Sequence, residues 1–206
     1  MVSWFSYDEY IKKGIGEDVF IATMKFVTRF LNEHYKTWGT YKYLWAWWFP
    51  REITLSEYRI GALEYEFVDG EEWEVAVHIP SDADMSIQSV RQSLADFHDF
   101  REKYYPDWKG VKLTCDSWML MPDLQDFLGE KSNIVAFQKL FHIDEINRDE
   151  TWYMGWIFPG YDEVDERLPE KTLLQRKLKK HLLEGKKFGI AKGHIQIKPE
   201  GRRVDE

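Results

Sequence analysis

A carboxylate and an imidazole on one face of a β-sheet can hold and move a proton, and Glu64 and His78 have the spacing to do so. Leu63, Tyr65 and Phe67 alternate with Ala62, Glu64 and Glu66, the period of a half-buried strand. Trp73, Val75, Val77 and Ile79 alternate with Glu74, Ala76 and His78 in the same way, and Asp69-Gly70 between the two runs is a hairpin signal. Keeping one face apolar sets the register. A three-residue loop from Asp69 to Glu71 places Phe67 opposite Trp73, Tyr65 opposite Val75 and Leu63 opposite Val77. His78 then faces Ala62, with Glu64 diagonal to it on the polar face and within reach of a long side chain. Alternation alone also puts polar residues on a solvated face, so the pair reads as an acid–base couple or as surface.

Two further stretches could carry chemistry. Pro80 ends the second strand because it has no N–H to donate. Ser81-Asp82-Ala83-Asp84-Met85 then forms a loop and Ser86 is a good N-cap. Ile87, Val90, Leu94 and Phe97 make an apolar stripe, with Leu94 expected in the core, on a helix closing at Tyr104-Tyr105-Pro106. A strand that runs into a helix N-terminus presents free N–H groups to an anion. Cys115-Asp116-Ser117 lies at the carboxyl end of a strand from Val111 to Cys115, where open sheets place ligands. Cys115 is a nucleophile if His78 approaches it, and otherwise a small buried hydrophobe. The run Trp45 to Phe49 lines a groove or fills a core. Lys177 to His181, with Lys186 and Lys187, attracts a phosphate or complements the helix dipole.

Composition excludes other classes. Six histidines (His34, His78, His98, His142, His181, His194) show no zinc-type spacing and Cys115 is the only cysteine, so no metal site is expected. There is no glycine-rich phosphate loop and no Gly-x-Ser-x-Gly elbow. A net charge of -8 over 206 residues argues against nucleic acid and anionic membranes as partners. One cysteine fits a reducing compartment. Neither a leader-type N-terminus nor a run of ~20 apolar residues is present, so a soluble, cytoplasmic protein is expected.

The remaining elements read as follows. Ser6…Glu9 has capping-box spacing for a short helix ending near Gly14. One helix is expected over 17–35, an ambiguous aromatic stretch over 38–49 broken by Pro50, a helix over 122–128, and a strand over 133–143. Residues 151–158 suit either state, 172–184 a capped helix, 190–198 a last strand, and the tail after Pro199 is loose. Early antiparallel pairing followed by alternating strands and helices implies an α+β fold, a mixed sheet covered by helices. A helical extension over 1–40 and a main domain over 41–206 are expected.

Tyr58 to Glu66, Val77 to Ser86, Cys115 to Leu120, Ser132-Asn133-Ile134 with Phe137-Gln138, and Leu174 to Gly185 together resemble a bacterial family of acyltransferase-like proteins. That family joins a helical N-terminal part to a domain similar to the GNAT N-acyltransferases, and the resemblance covers about residues 40 to 198. It implies a GNAT-like, mostly antiparallel sheet with a central strand at Trp73–Ile79. It also implies an acyl-coenzyme A whose pyrophosphate lies on Ile79 and the loop Ser81, Asp82, Ala83, Asp84, Met85 and Ser86. Glu64, His78, Cys115 and Ser117 are then the catalytic candidates, and a small molecule is the acceptor. The loop departs from the family pattern in having no glycine and two acids, Asp82 and Asp84, expected to repel a pyrophosphate; the tyrosine usual in the next short helix is missing from 122–128. A repurposed domain that binds a small ligand or a partner is the alternative, and a hydrolase using Cys115 a third reading.

Overall fold

Two hairpins and one crossover helix bring the polar residues of interest onto a single sheet. The computed structural model describes residues 2–195. Helices α1 (Val2–Lys13), α2 (Glu17–Met24), α3 (Phe26–Trp38) and α4 (Phe49–Ile53) precede strands β1 (Glu57–Ile60), β2 (Leu63–Val68) and β3 (Glu74–His78). Then follow α5 (Ile87–Tyr104), β4 (Leu113–Ser117), α6 (Asp123–Leu128), α7 (Asn133–Gln138), β5 (His142–Asn147), α8 (Tyr153–Ile157), α9 (Leu173–Leu183) and β6 (Ile190–Ile195). The six strands lie in the order β1-β2-β3-β4-β6-β5. Their pairing is antiparallel except between β3 and β4, which run parallel as the α5 crossover requires. The α+β, mostly antiparallel sheet is therefore as expected.

The sheet has two unlike faces. Tyr58, Ile60, Leu63, Tyr65, Phe67, Val75, Val77 and Leu113 form the core with Val90, Phe97 and Phe100 of α5. Tyr65 stacks on Phe97 with ring centroids 3.9 Å apart. Glu57, Arg59, Glu64, Glu66 and His78 share the opposite face, since Glu57 pairs with Glu66, Arg59 with Glu64, and Glu64 with His78. The N-terminal helices cover this face: Arg29 of α3 reaches Glu64 at 2.7 Å, and Thr23 of α2 accepts a hydrogen bond from the Arg59 N–H at 3.0 Å.

Several expectations need correction. The β2–β3 register is shifted by two, with Phe67 opposite Val75 and Tyr65 opposite Val77. Trp73 leaves the ladder to stack on Trp108 at 4.4 Å, which lengthens the loop. A shift of two preserves the faces, so Glu64 and His78 do share one. A turn at Gly61, with φ of 61°, splits β1 from β2, and a Cβ there would lie 3.2 Å from that of Ser93. The helix expected over 17–35 breaks at Lys25, which ends α2 and begins α3. Ser6 lies within α1 and donates to the Ile53 carbonyl instead of capping. Pro50 sits in the first turn of α4, where a missing N–H is no loss. The strand expected over 133–143 is α7, capped by Ser132, followed by β5, and 151–158 holds α8. The extension of the last strand to Lys198 and the tail after Pro199 lie outside the described residues.

On α5, Leu94 is only partly buried, and Ser93 takes the central position. The Ser93 hydroxyl serves the Leu63 N–H at 3.2 Å and the Tyr65 hydroxyl at 2.9 Å. Phe97→Ala should therefore cost about 3–5 kcal/mol, and Leu94→Ala less than half as much. Urea unfolding of both variants checks this; equal losses would contradict the placement of α5.

Candidate active site

β3 and β4 pair only through Val75 with Leu113 and Ala76 with Thr114. Beyond those residues the carboxyl ends of the two strands part, and a cavity of about 590 Å³ opens between them. Val77, His78 and Ile79 line one side, and Asp116, Ser117, Trp118 and Met119 the other. Pro80, Ser81, Ala83 and Met85 form its rim toward α5. Aromatic walls come from Phe30, Trp45 and Trp48 on the N-terminal side and from Trp152, Tyr153 and Trp156 at α8. Trp45 and Trp156 stack with centroids 5.3 Å apart.

The imidazole in this cavity is held by two neighbours, which Arg51 ties together. His78 Nε2 lies 2.9 Å from Glu66 Oε2, and Glu66 Oε1 accepts from Arg51 Nε at 2.7 Å. The Arg51 guanidinium lies over the Trp48 ring at 4.4 Å, and that ring meets His78 edge-on at 4.7 Å. Burial raises the Glu66 carboxyl, but the hydrogen bonds from His78 and Arg51 outweigh it and hold it below its ordinary value. Glu66 thus remains a carboxylate beside His78.

Glu64, the expected partner, is opposite His78 in the ladder but engaged elsewhere. Its carboxylate accepts from Arg29 Nη1 at 2.7 Å and Nη2 at 3.2 Å, and Arg59 stands 3.7 Å away. Glu66 was within reach of the period-two pattern, which puts it on the same face as Glu64. Arg29, Trp152 and Trp156 come from distant segments and leave no spacing signal, whereas Trp45 and Trp48 belong to the aromatic run expected to line a groove or fill a core.

The loop after β3 is also used differently. Ile79, Ser81, Ala83 and Met85 line the cavity, while Asp82, Asp84 and Ser86 do not. Asp82 accepts from Arg59 Nη1 at 2.9 Å and lies 3.8 Å from Arg29. Burial opposes its ionisation, yet these cations hold it below its ordinary value. Asp84 accepts from the Ser86 N–H at 2.9 Å and hydroxyl at 3.0 Å, which lowers it as well. Ser86 caps α5 through the Ser89 N–H. The expected repulsion of an anion is therefore largely cancelled for Asp82. Ser81 donates to Glu33 of α3, which ties the rim to the N-terminal helices.

Cys115 does not join the site. It is 1% exposed among the core residues, on the face opposite His78, and burial pushes its thiol far up. Ser117 does line the cavity, and its hydroxyl accepts from the Met119 N–H at 3.1 Å. The lysine-rich helix α9 stands apart from the cavity, with Lys179 held by Glu170 at 2.8 Å. No helix among the described residues is long and apolar enough to cross a membrane.

Residues 58–195 match the family model described as "GNAT-like C-terminal domain", and residues 5–55 match "N-acyltransferase N-terminal domain". No curated protein matches the chain. Three similar solved structures are an acyltransferase in complex with decanoyl-CoA and teicoplanin (22% identity, TM-score 0.86), one with CoA and 10C-teicoplanin (20%, 0.87) and one with decanoyl-CoA (21%, 0.84). The matches cover 95%, 95% and 93% of this chain but 63%, 63% and 62% of those chains, so the chain spans less than two thirds of their length. At these identities the likeness is one of fold.

Two outcomes follow from the geometry. Glu64→Gln leaves Arg29 buried with its main counterion gone, so it should cost about 3–5 kcal/mol, measured by urea unfolding; an unchanged midpoint would mean Glu64 is not a structural ion-pair partner. Cys115 should react with an aromatic disulfide reagent only after unfolding, and fast labelling of the native protein would contradict its burial.

Proposed function

This chain belongs to the family of GNAT-like C-terminal domains, and from that premise we propose that it moves an acyl group from an acyl-coenzyme A to the amine of a small acceptor. The observation that carries the reading is the cavity between the parted ends of β3 and β4, with His78 in its lining and the Glu66 carboxylate bonded to it. The acyltransferase complexes with acyl-CoA among the fold neighbours support it.

The chemistry follows from the residues present. With Nε2–H donated to Glu66, His78 keeps a lone pair on Nδ1 and takes the proton of the acceptor amine there. The C–N bond forms as the C–S bond breaks, and the thiolate leaves with the electron pair. Glu66 stabilises the imidazolium that results. Ser117 accepts from Met119, keeps its own hydrogen free, and donates it toward the departing sulfur. Past Ala76 and Thr114, β3 and β4 make no ladder bonds to each other, so their facing N–H and C=O groups can pair with an extended amide-bearing arm. The rim residues Ser81, Ala83 and Met85 and the N-terminus of α5 hold the anionic end through N–H groups and the helix dipole, with Arg59 and Arg29 neutralising Asp82. The tryptophan walls receive apolar parts of the acyl chain or acceptor. A single, buried cysteine fits a cytoplasmic setting.

One observation favours the repurposed-domain reading. The rim has no glycine, and Asp84 takes the Ser86 N–H that an anion would otherwise use. The two readings part in one experiment. His78→Asn should lower the release of free coenzyme A from decanoyl-coenzyme A, with a panel of amines as acceptors, by ~10²–10⁴-fold. Calorimetric affinity for coenzyme A should stay unchanged in that variant. Failure of the unsubstituted protein to bind coenzyme A would favour the repurposed domain.

A further inference from the structure

Beside Glu66, on the sheet face that carries His78, lie buried carboxyl groups that the acyl-transfer chemistry does not use. Glu57 of β1 is 0% exposed, and neither of its carboxylate oxygens has a hydrogen-bond partner. Nearby Glu52 of α4 is 1% exposed and equally unpartnered. Burial, with neighbouring Glu64 and Glu52, drives the Glu57 carboxyl well above its ordinary value, and burial raises Glu52 to about 8. Glu57 and Glu52 lie in one buried network with Glu64, Glu66, Arg29 and Arg51, yet no donor reaches their carboxyl oxygens. A buried carboxylate without a donor is costly, and a bound cation satisfies both its charge and its lone pairs.

We propose that Glu57, Glu66 and His78 bind one divalent first-row transition ion, and that the bound ion silences His78 as a base. The second half rests on the acyl-transfer reading; the first does not. One ligand atom from each residue lies within 4.8 Å of the other two. The ladder makes this convergence: Glu57 is directly opposite Glu66, and His78 is on the next strand of the same face. An imidazole with two carboxylates suits zinc, cobalt, iron or nickel, whereas calcium and magnesium prefer more oxygens. Arg51 holds Glu66 Oε1 and leaves Oε2 for the ion, as an outer partner does around a metal. The side chains of His78 and Glu66 are 27% and 16% exposed, which gives access from the cavity. Nε2 and Oε2 stand 2.9 Å apart and need to separate only slightly, because ligands ~2.0–2.2 Å from a tetrahedral ion stand about 3.4 Å from one another.

Silencing follows from the tautomer. Coordination takes the Nε2 lone pair, so the ring's one proton moves to Nδ1, the position that accepts the acceptor's proton in acyl transfer. His78 with an ion on Nε2 has no lone pair left.

The test titrates the full chain, stripped with a chelator, with Co²⁺ alone, followed by visible absorption and calorimetry. One Co²⁺ per chain with ligand-field bands of low coordination is expected, and Glu57→Gln should weaken it at least ~10-fold. His78→Asn should weaken it likewise. Glu57→Gln removes a buried carboxylate rather than adding one, so folding is retained, and Glu66→Gln is the second variant should it fail. Absent bands, or an affinity in Glu57→Gln within twofold of the original, would overturn the site. Zn²⁺ should also inhibit coenzyme A release by the stripped protein, with the inhibition constant raised at least ~10-fold in Glu57→Gln. Zinc that binds without inhibiting would overturn the silencing. A stripped protein that binds Co²⁺ but transfers no acyl group would remove the acyl-transfer reading and leave the metal site standing.

Discussion

The buried pair between Arg29 and Glu64 is the joint on which the rest of the architecture depends. Each partner is almost fully removed from water, so neither is tolerable without the other. Their bidentate contact fixes α3 over the polar face of β2. Once α3 is in place, Phe30 reaches the cavity, and the segment after α3 delivers Trp45 and Trp48 to the same wall. The N-terminal helices are therefore part of the site, although their connection to the sheet runs through a few side chains. The same pairing removes Glu64 from acid–base duty and leaves the neighbouring carboxylate, two residues on, to attend the imidazole.

Division of labour between the sheet's faces explains the rest of the chemistry. One face is closed by α5 with stacked aromatic rings, and Cys115 is buried there. The other carries every charged group of interest, under helices that bring their own arginines. Arg29 and Arg59 meet Glu64 on that face and Asp82 at its rim, so Asp82 is an ion-pair partner and not a free anion.

What the sequence made legible was the alternation. Period two assigned faces to Glu64, Glu66 and His78 correctly, because faces survive a slip of two residues. Register did not survive, since stacking of Trp73 on Trp108 outweighed one more rung of the ladder, and no local pattern encodes a contact across 35 positions. Residues 133–138 read as a strand because Ile134, Val135 and Phe137 are β-formers, yet the Ser132 cap and burial against α5 and α6 made them helical. The short break at Lys25 was invisible because both flanking segments keep a helical pattern. The aromatic side of the cavity was legible only as composition: Trp45 to Phe49 announced aromatics, but the stacking of Trp45 on Trp156 is a tertiary fact.

The lone parallel junction also has a mechanical side. β1–β3 and β4–β6 are each continuous antiparallel units, and two residue pairs join them edge to edge. A ladder that short makes the junction a seam, the place where the sheet opens at least cost. Whatever sits in the wedge beyond the seam touches both half-sheets and acts as a splint. Its binding energy adds to the cohesion of the sheet itself, so occupancy of the cavity and resistance to forced separation of the two halves are one property, read along the same line of amides.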